Sequence, residues 1–396
     1  MSPFSKRSTH DTAENELTRR LRERRARGPV VDLTVSNPTT AGLSPPPLSE
    51  AGRLALSRPE CAVYEPLPFG LPEAREAIAS SLGGAISADD VVCTASTSEA
   101  YGWLFSLLAD PGDAILVPSP SYPLFSFLAA HAAVRLVPYP LRYDGAWHTD
   151  LAELRRIAAA EPRARAVLVV SPNNPTGSVL TEAELEAMLD LGVPVISDEV
   201  FARYPLGARR GRFFSAREAS RGLVLVLSGL SKEAALPQMK LGWIVLAGER
   251  ALVDEAKARL EVLADTFLSV GAPVQHAART LLEEAHGPRD AIVARTNRNL
   301  ARLDEVLAGT AATRLFVEGG WYATVRLPAV MDEEAWVGAL LERGVYVHPG
   351  AFFDFAESPL VVISLLTPEA DLDEGLAILA STLAWALEEP PAITKK

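Results

Sequence analysis

The sequence predicts an α/β protein with a mostly parallel central sheet covered by helices, a three-layer large domain, joined to a smaller α+β domain. Within residues 48–285, continuous runs of Val, Ile and Leu alternate with helical stretches. Strands without polar alternation are buried on both faces, which is typical of a parallel sheet between two helix layers. Towards the carboxyl end, three strands alternate apolar and polar residues, which indicates a second, smaller sheet.

The chain order places both ends in the smaller unit. We predict a large domain at residues 48–285 and a small domain built from residues 1–47 and 286–396. The first element, "ENELTRRLRERRARG", has leucines four apart among charges and ends at Gly28, so it is predicted to be a solvent-facing helix.

Seven strands are predicted in the large domain, separated by helices such as "TSEAYGWLFSLLA" and "TEAELEAMLDLG". In order they are "DDVVCTAS", "AILVPSP", "VRLVPYP", "RAVLVVSP", "VPVISDEV", "GLVLVLSG" and "LGWIVLAG". A long helical stretch follows, from about Arg250 to Leu307. The small-domain strands are then "RLFVEGGWYATVRLP", "GVYVHPG" and "LVVISLLT".

Composition excludes several classes of function. The formal net charge of −12 argues against a nucleic-acid partner, because phosphate binding needs a basic surface. The two cysteines and six scattered histidines give neither a disulfide framework nor a metal-binding pattern, so we expect no metal and a reducing, cytoplasmic location. No apolar run reaches the roughly 20 residues of a membrane helix.

Polar residues stand at the ends of the predicted strands, where α/β folds bind their ligands. Ser96, Thr97 and Ser98 occupy a strand-to-helix turn that can bind a phosphate, although simple helix capping explains them equally well. Asn174 lies in a rigid "SPNNPTG" turn, and Asp198 ends a buried strand, where capping of a helix is the plainer alternative.

Lys232 is the most informative of these residues. A single lysine at a strand end usually extends to solvent, and Tyr122 alone is usually a packing residue. Together, however, an amine, a carboxylate, an amide, an aromatic ring and an anion site at different strand ends match pyridoxal 5'-phosphate. Its aldehyde needs a lysine for a Schiff base, and its ring nitrogen needs an acidic partner.

These motifs resemble those of a known family, the fold-type I pyridoxal-phosphate enzymes of the class I/II aminotransferases. The resemblance extends over nearly the whole chain, through "YEPLPFGLPEAREAIA", "LLADPGDAILVPSPSYPLF", "SPNNPTG", "SDEV", "SGLSK", "GGWYATVRLP" and "GVYVHPG". It implies transfer of an amino group from an amino acid to a 2-oxo acid through a lysine Schiff base. The same scaffold also supports lyase, decarboxylase and related carbanion chemistry, which stays an alternative at this point.

The resemblance also implies residue roles. Lys232 would carry the Schiff base and shuttle the proton, Asp198 would pair with the ring nitrogen, and Asn174 would bind the ring hydroxyl. Tyr122 would stack on the ring. The phosphate would be held by residues that offer hydroxyls or a charge: Ser96, Thr97, Ser98, Ser228, Ser231 and Lys240, with Tyr64 reaching in from the neighbouring subunit of a homodimer.

Three positions depart from the family pattern. Lys240 replaces an arginine of the phosphate site, and Phe201 replaces a tyrosine that bonds the ring hydroxyl. Val362 stands where the family has the arginine that binds the substrate carboxylate, and no arginine occurs in residues 352–368. Replacements for that cation, or for its hydrogen bonds, are expected among Ser36, Asn37, Arg326 and His348, besides Lys240.

Overall fold

The structure is a computed structural model that describes residues 3–8, 13–44, 48–83, 86–207, 213–357 and 359–388. Its strands are β1 (Val31–Asp32), β2 (Val91–Thr94), β3 (Ala114–Ser119), β4 (Arg135–Tyr143), β5 (Trp147–Thr149), β6 (Ala164–Val170), β7 (Val195–Asp198), β8 (Leu223–Gly229), β9 (Gly242–Gly248), β10 (Thr313–Arg314), β11 (Tyr322–Arg326), β12 (Val345–Tyr346), β13 (His348–Pro349) and β14 (Leu360–Ser364).

The helices of the described residues lie mostly between these strands. They are α1 (Glu16–Arg27), α2 (Glu50–Ala55), α3 (Pro72–Leu82), α4 (Thr97–Leu108), α5 (Phe125–Ala132), α6 (Leu151–Ala160), α7 (Glu182–Leu189), α8 (Leu230–Glu233), α9 (Arg250–Phe267), α10 (Ala272–Glu283), α11 (His286–Leu307), α12 (Glu333–Glu342) and α13 (Glu369–Glu388). The predicted long helical stretch is therefore three helices, α9 to α11.

The central sheet has eight strands in the order β2-β9-β8-β7-β6-β3-β4-β5. Its middle strands, from β8 through β4, run parallel to one another. Only β9 and the short β5 run antiparallel to their neighbours. Every residue of β2, β7 and β8 is buried. This confirms the predicted class, a mostly parallel sheet between helix layers.

One strand of this sheet differs from the prediction of burial on both faces. β4, from Arg135 to Tyr143, has only one fully buried residue, Tyr139, because it lies next to the three-residue edge strand β5. The run "VRLVPYP" is thus a half-covered strand near the sheet edge.

The small sheet has four strands in the order β10-β11-β14-β13, and β1 pairs with β12 in a separate two-stranded ribbon. The predicted single strand "GVYVHPG" is split between these two sheets. Its first half, β12, runs parallel to β1, and its second half, β13, runs antiparallel to β14. The amino-terminal segment is thereby tied to the carboxyl-terminal part of the chain.

Separate hydrophobic clusters fill the two units. Two clusters cover the two faces of the central sheet. A third joins Leu33 of the amino-terminal segment to residues of α11, α12, α13 and the small sheet, with Leu206 as its one contribution from between β7 and β8. Such clusters are what a two-domain division requires. The boundaries at residues 47/48 and 285/286 stay a prediction.

Candidate active site

The parallel strands end at one edge of the central sheet, and the candidate residues collect there. Asp198 is the last residue of β7, and β7 pairs with β8, which leads directly into α8 and Lys232. The turn after β6 carries Asn174, and the turn from β2 into α4 carries Ser96. The alternation of strand and helix, which orients the parallel strands alike, is therefore what brings these side chains together.

Lys232 lies beneath two aromatic rings. Its Nζ is 4.5 Å from the centroid of the Trp321 ring and 5.5 Å from that of Phe201. Burial lowers the pKa of this amine to about 8, because the charged form loses its hydration, and the charge of Asp198 opposes the shift only in part. At pH 7 about a tenth of the amine is therefore uncharged, against fewer than about one in a thousand at the ordinary pKa, and the uncharged form is the one that attacks a carbonyl.

Asp198 is buried and accepts two hydrogen bonds. Its Oδ2 accepts from the hydroxyl of Tyr101 at 2.6 Å, and its Oδ1 accepts from the amide of Val200 at 3.1 Å. Burial raises the pKa of this carboxyl, and both hydrogen bonds and the charge of Lys232 oppose the rise. Two hydrogen-bond donors and the charge of Lys232 leave a buried carboxylate that a directly bound cationic group would stabilise further.

Tyr101 is a site residue that the sequence analysis missed. It lies on α4 and is wholly inside the protein, with its ring edge-on to Phe125 at 5.2 Å. One signal was available. Ser98 and Tyr101 are three residues apart in the predicted helix, so they share a side, and Ser98 was already assigned to the site.

Asn174 and Tyr122 are the chain neighbours of two residues in contact, since Nδ2 of Asn173 donates to the hydroxyl of Ser121 at 3.2 Å. The side-chain oxygen of Asn174 is buried and has no hydrogen-bond partner among the described residues. Tyr122 is 44% exposed, and its phenol is close enough to Asp198 for that charge, after burial, to raise its pKa further. A flat polar ligand would bond the unpartnered side-chain oxygen of Asn174 and cover the exposed ring of Tyr122.

The turn into α4 has the features of an anion site. Ser96 caps the helix, its Oγ accepting from the amide of Glu99 at 3.2 Å, so the capping alternative is correct for this residue. The hydroxyls of Thr97 and Ser98 have no hydrogen-bond partner within the described chain, and both residues are half-buried. A Cβ on Gly242 would lie 3.1 Å from the amide of Thr97, so only a glycine leaves this turn undisturbed.

The other residues expected around the phosphate differ in their contacts and in their exposure. The hydroxyl of Ser228 donates to Oε1 of Glu233 at 3.3 Å, so it is directed at that carboxylate and not at the turn into α4. Ser231 is half-buried on α8. Lys240 is exposed, has a left-handed backbone with φ 54°, and forms no ion pair with the described residues.

Tyr64 does not lie among these residues. It is 81% exposed and lines a groove of about 390 Å³ together with Trp103 and Leu268. Its own chain therefore leaves most of this side chain uncovered.

The residues expected to bind the substrate have different partners within the described chain. Arg326 forms an ion pair with Glu357 at the surface, so the expectation that it contacts substrate is not supported. Oδ1 of Asn37 accepts from the amide and hydroxyl of Thr39, and the expectation that Asn37 offers an amide donor to the substrate stays a prediction. Ser36 bonds the phenol of Tyr322, and His348 lies directly opposite Val362 in the small sheet.

The described residues contain no group of three or more His, Cys, Asp or Glu that could hold a metal ion. Among the described helices, none combines the length and the apolar character that a bilayer crossing requires.

Comparison with known proteins identifies the family. The sequence profile "Aminotransferase class I and II" matches residues 28–379. An aspartate/prephenate aminotransferase of Thermus thermophilus is 30% identical over 358 residues, 87% of this chain and 89% of that protein. Human tyrosine aminotransferase is 27% identical over 263 residues, 64% of this chain and 57% of that protein.

Solved structures agree with these relatives. The alanine aminotransferase from Pyrococcus furiosus superposes with a TM-score of 0.83 at 26% identity, covering 96% of this chain and 99% of that chain. The Thermus thermophilus aspartate aminotransferase superposes with the same TM-score and identity. The chain belongs to the class I and II aminotransferase family and is an aminotransferase.

Proposed function

We propose that the protein binds pyridoxal 5'-phosphate at Lys232 and uses it to transfer an amino group from an amino acid to a 2-oxo acid. The observation that carries this proposal is the pair formed by Lys232 and Asp198. Burial lowers the pKa of the amine to about 8 and raises that of the carboxyl. An amine ready to attack an aldehyde thus lies near a carboxylate that requires a cation.

The described residues fit the proposed cofactor in three further respects. Asn174 has a buried oxygen without a partner, and a simple turn of its amide offers either a donor or an acceptor to a ring hydroxyl. Thr97 and Ser98 have free hydroxyls beside the amide end of α4. Gly242 leaves that end clear. Amides and hydroxyls at a helix amino terminus suit a phosphate.

Each residue then has a definite task. Asp198 would hold a proton on the ring nitrogen, and Tyr101 would keep that carboxylate charged and oriented. Tyr122 would cover one ring face. When bound, pyridoxal phosphate withdraws electrons from the substrate carbon that bears the amine. The freed amine of Lys232, with a pKa of about 8, would take the proton from that carbon and return it elsewhere.

We also propose a homodimer in the cytoplasm. The support for the dimer is the exposure of Val63 and Tyr64, 63% and 81%, which suits a tyrosine that completes the site of a neighbouring subunit. The support for the compartment is that both cysteines, Cys61 and Cys93, are free thiols.

An absorbance spectrum of the purified protein tests the proposal. We expect a visible band from pyridoxal phosphate bound to Lys232, which is absent in Lys232→Ala, and we expect an amino donor to convert it to the spectrum of the aminated cofactor. Subsequent addition of a 2-oxo acid should restore the band. A band that no donor converts, with product released, would favour a lyase. The absence of a band with cofactor supplied would exclude the proposed cofactor.

A further inference from the structure

Three side chains form one row across a face of the small sheet. Thr324 of β11 lies opposite Val362 of β14, which lies opposite His348 of β13. Directly opposed residues in antiparallel strands project to the same face. The alternate residues, including Val325 and Val361, project the other way and belong to the small-domain core.

One end of the face that carries this row lies near the lysine. Tyr322, two positions before Thr324 and therefore on the same face, bonds Ser36 and lies near Tyr122. Its ring centroid is 6.3 Å from that of Phe201, the ring that lies beside Lys232.

The other end of the row also reaches the site. The His348 ring is 5.8 Å from that of Phe353, whose carbonyl accepts from the amide of Ser121, the neighbour of Tyr122.

No cation projects from this row. Thr324 and Val362 are wholly buried, and His348 is half-buried among aromatic rings. Burial lowers the pKa of His348, with the charge of Asp32 opposing, so the imidazole is neutral at neutral pH. Arg326 shares the face but lies two residues, about 7 Å, further along β11 and is neutralised by Glu357.

The row nevertheless has unused hydrogen-bonding capacity. His348 Nδ1 and Thr324 Oγ1 are both buried without a partner among the described residues. Buried polar atoms are nearly always bonded, so two unbonded atoms in one row call for an explanation. A carboxylate would lose its hydration here without gaining a counter-charge, whereas a hydroxyl or amide would lose much less.

We propose that one of the two substrates carries an uncharged hydrogen-bonding group, such as the hydroxymethyl group of an amino alcohol, beside its amine-bearing carbon, and that His348 recognises this group. The proposal rests on the aminotransferase function proposed above. The proposal predicts that an amino acid binds more weakly than the matching amino alcohol, because its carboxylate finds no cation in this row. A hydrogen bond to a charged group is worth about ten- to a hundredfold in affinity.

The half-reaction balances without an external oxidant. The substrate carbon loses its amine, a proton and two electrons and gains a carbonyl oxygen from water, so the amino alcohol becomes a hydroxy aldehyde or hydroxy ketone. The nitrogen and the two electrons pass to the carbonyl carbon of the bound cofactor, and the amine of Lys232 is set free. A 2-oxo acid takes the nitrogen in the return half-reaction.

Matched donors test the proposal on the holoenzyme. Alanine, leucine and phenylalanine are each compared with the amino alcohol of the same side chain, and the concentration that half-converts the visible band is measured. We expect at least one amino alcohol to half-convert the band at or below the concentration of its amino acid. An amino acid preference of tenfold or more in every pair would overturn the proposal while leaving aminotransfer intact. Conversion by no donor would instead overturn the proposed function and this proposal with it.

Two variants test the role of His348, and thermal melting curves are recorded first to establish that each variant folds. His348→Arg adds a cation to the row, and we expect it to lower the half-converting amino acid concentration about tenfold relative to the neutral control His348→Gln. An equal amino acid concentration in the two variants would contradict the assigned location. Arg326→Gln tests the other cation on this face. If this variant alone lost the conversion by amino acids, the substrate carboxylate would be bound at Arg326 and the proposal would be overturned.

Discussion

Lys232 and Asp198, the two central side chains of the candidate site, have pKa values that burial shifts in opposite directions. Burial disfavours charge, so it lowers the pKa of the Lys232 amine and raises that of the Asp198 carboxyl. The protein holds Asp198 in place through hydrogen bonds that do not neutralise it, from Tyr101 and the Val200 amide. Pairs of groups displaced in this way mark a functional site more strongly than either residue alone.

Tyr101 should set the pH range of cofactor binding. Its hydrogen bond lowers the pKa of Asp198 against the effect of burial, so Tyr101→Phe should raise that pKa. A bond to a charged group corresponds to about 1–2 pH units. Binding that requires the carboxylate is complete above its pKa and is lost as pH falls through it. We therefore expect the affinity of Tyr101→Phe for pyridoxal phosphate to fall at a higher pH than that of the wild type, measured by titration of apoprotein.

Tyr139→Phe is the matched control. Tyr139 is also wholly buried, but its hydroxyl donates to the carbonyl of Leu168. Loss of the Tyr139 hydroxyl should leave the pH dependence of cofactor binding unchanged. Coincident profiles for Tyr101→Phe and the wild type would show that Tyr101 does not act on Asp198.

The sequence was sufficient to predict the candidate residues whose position depends on strand order alone. Lys232 and Asp198 were predicted because the ends of parallel strands meet at one edge. Tyr101 and Trp321 were not, because their contacts depend on how a helix is rotated and how the small sheet is placed. The engagement of Ser228 with Glu233 was equally invisible, since either rotamer of a serine suits a strand end.

At the scale of elements, the first turn of α4 depends on the neighbouring strand β9. A Cβ on Gly242 would lie 3.0 Å from the carbonyl carbon of Ser96 and 3.0 Å from the hydroxyl of Thr94. Gly242→Ala should therefore displace the amino terminus of α4 and weaken binding of pyridoxal phosphate about tenfold or more, because hydrogen bonds to a charged phosphate are lost. Equilibrium titration of the apoprotein measures this.

The same helix provides the control. Gly102 is in the interior of α4, and nothing lies within 4 Å of a Cβ built on it. Gly102→Ala should raise the free energy of unfolding by about 0.5–1 kcal/mol and leave cofactor affinity unchanged. If both variants bound the cofactor like the wild type, the turn into α4 would not be the phosphate site.

The short helix α8, which carries Lys232, is fixed by its buried Glu233. This carboxylate lies 3.3 Å from Nε of Arg203 and 3.4 Å from Nη1 of Arg289. Removing its charge leaves the guanidinium groups of Arg203 and Arg289 without their carboxylate partner, so Glu233→Gln should lower the free energy of unfolding by about 3 kcal/mol. Urea denaturation measures the loss.

Glu186→Gln separates this effect from that of an ordinary ion pair. Glu186 pairs with Arg221, but both side chains are exposed. Its loss should cost less than about 1 kcal/mol. Equal costs for the two variants would mean that Glu233 contributes no more than a surface pair does.

At the scale of the molecule, hydrophobic pattern predicted the class of both units but not how they join. Continuous apolar runs predicted the parallel sheet, whereas "GVYVHPG" was predicted as one strand because its alternation is unbroken. Its division between two sheets follows from the return of the amino-terminal strand β1 to pair with β12. Such pairing between distant segments depends on tertiary contacts, which a local pattern does not contain.

The exposure of Tyr64 leads to a prediction about the whole assembly. If Tyr64 completes the neighbouring subunit's site, Tyr64→Ala and Lys232→Ala each damage both sites of their own homodimer. A mixed dimer, however, combines Lys232 of one subunit with Tyr64 of the other and so contains one intact site. Random exchange makes about half of all dimers mixed, so the mixture should regain about a quarter of wild-type activity.

Recovery of this size requires both a dimer and a crossing residue, which makes the experiment decisive. The two variants are mixed after brief dissociation and assayed against each variant treated alone, and sedimentation confirms that mixed dimers form. Tyr64→Phe separates the effect of the hydroxyl from that of the ring, because it removes only the hydroxyl of a side chain that is 81% exposed in its own subunit. Mixed dimers without recovered activity would place Tyr64 outside the site, and a monomer would exclude the shared site altogether.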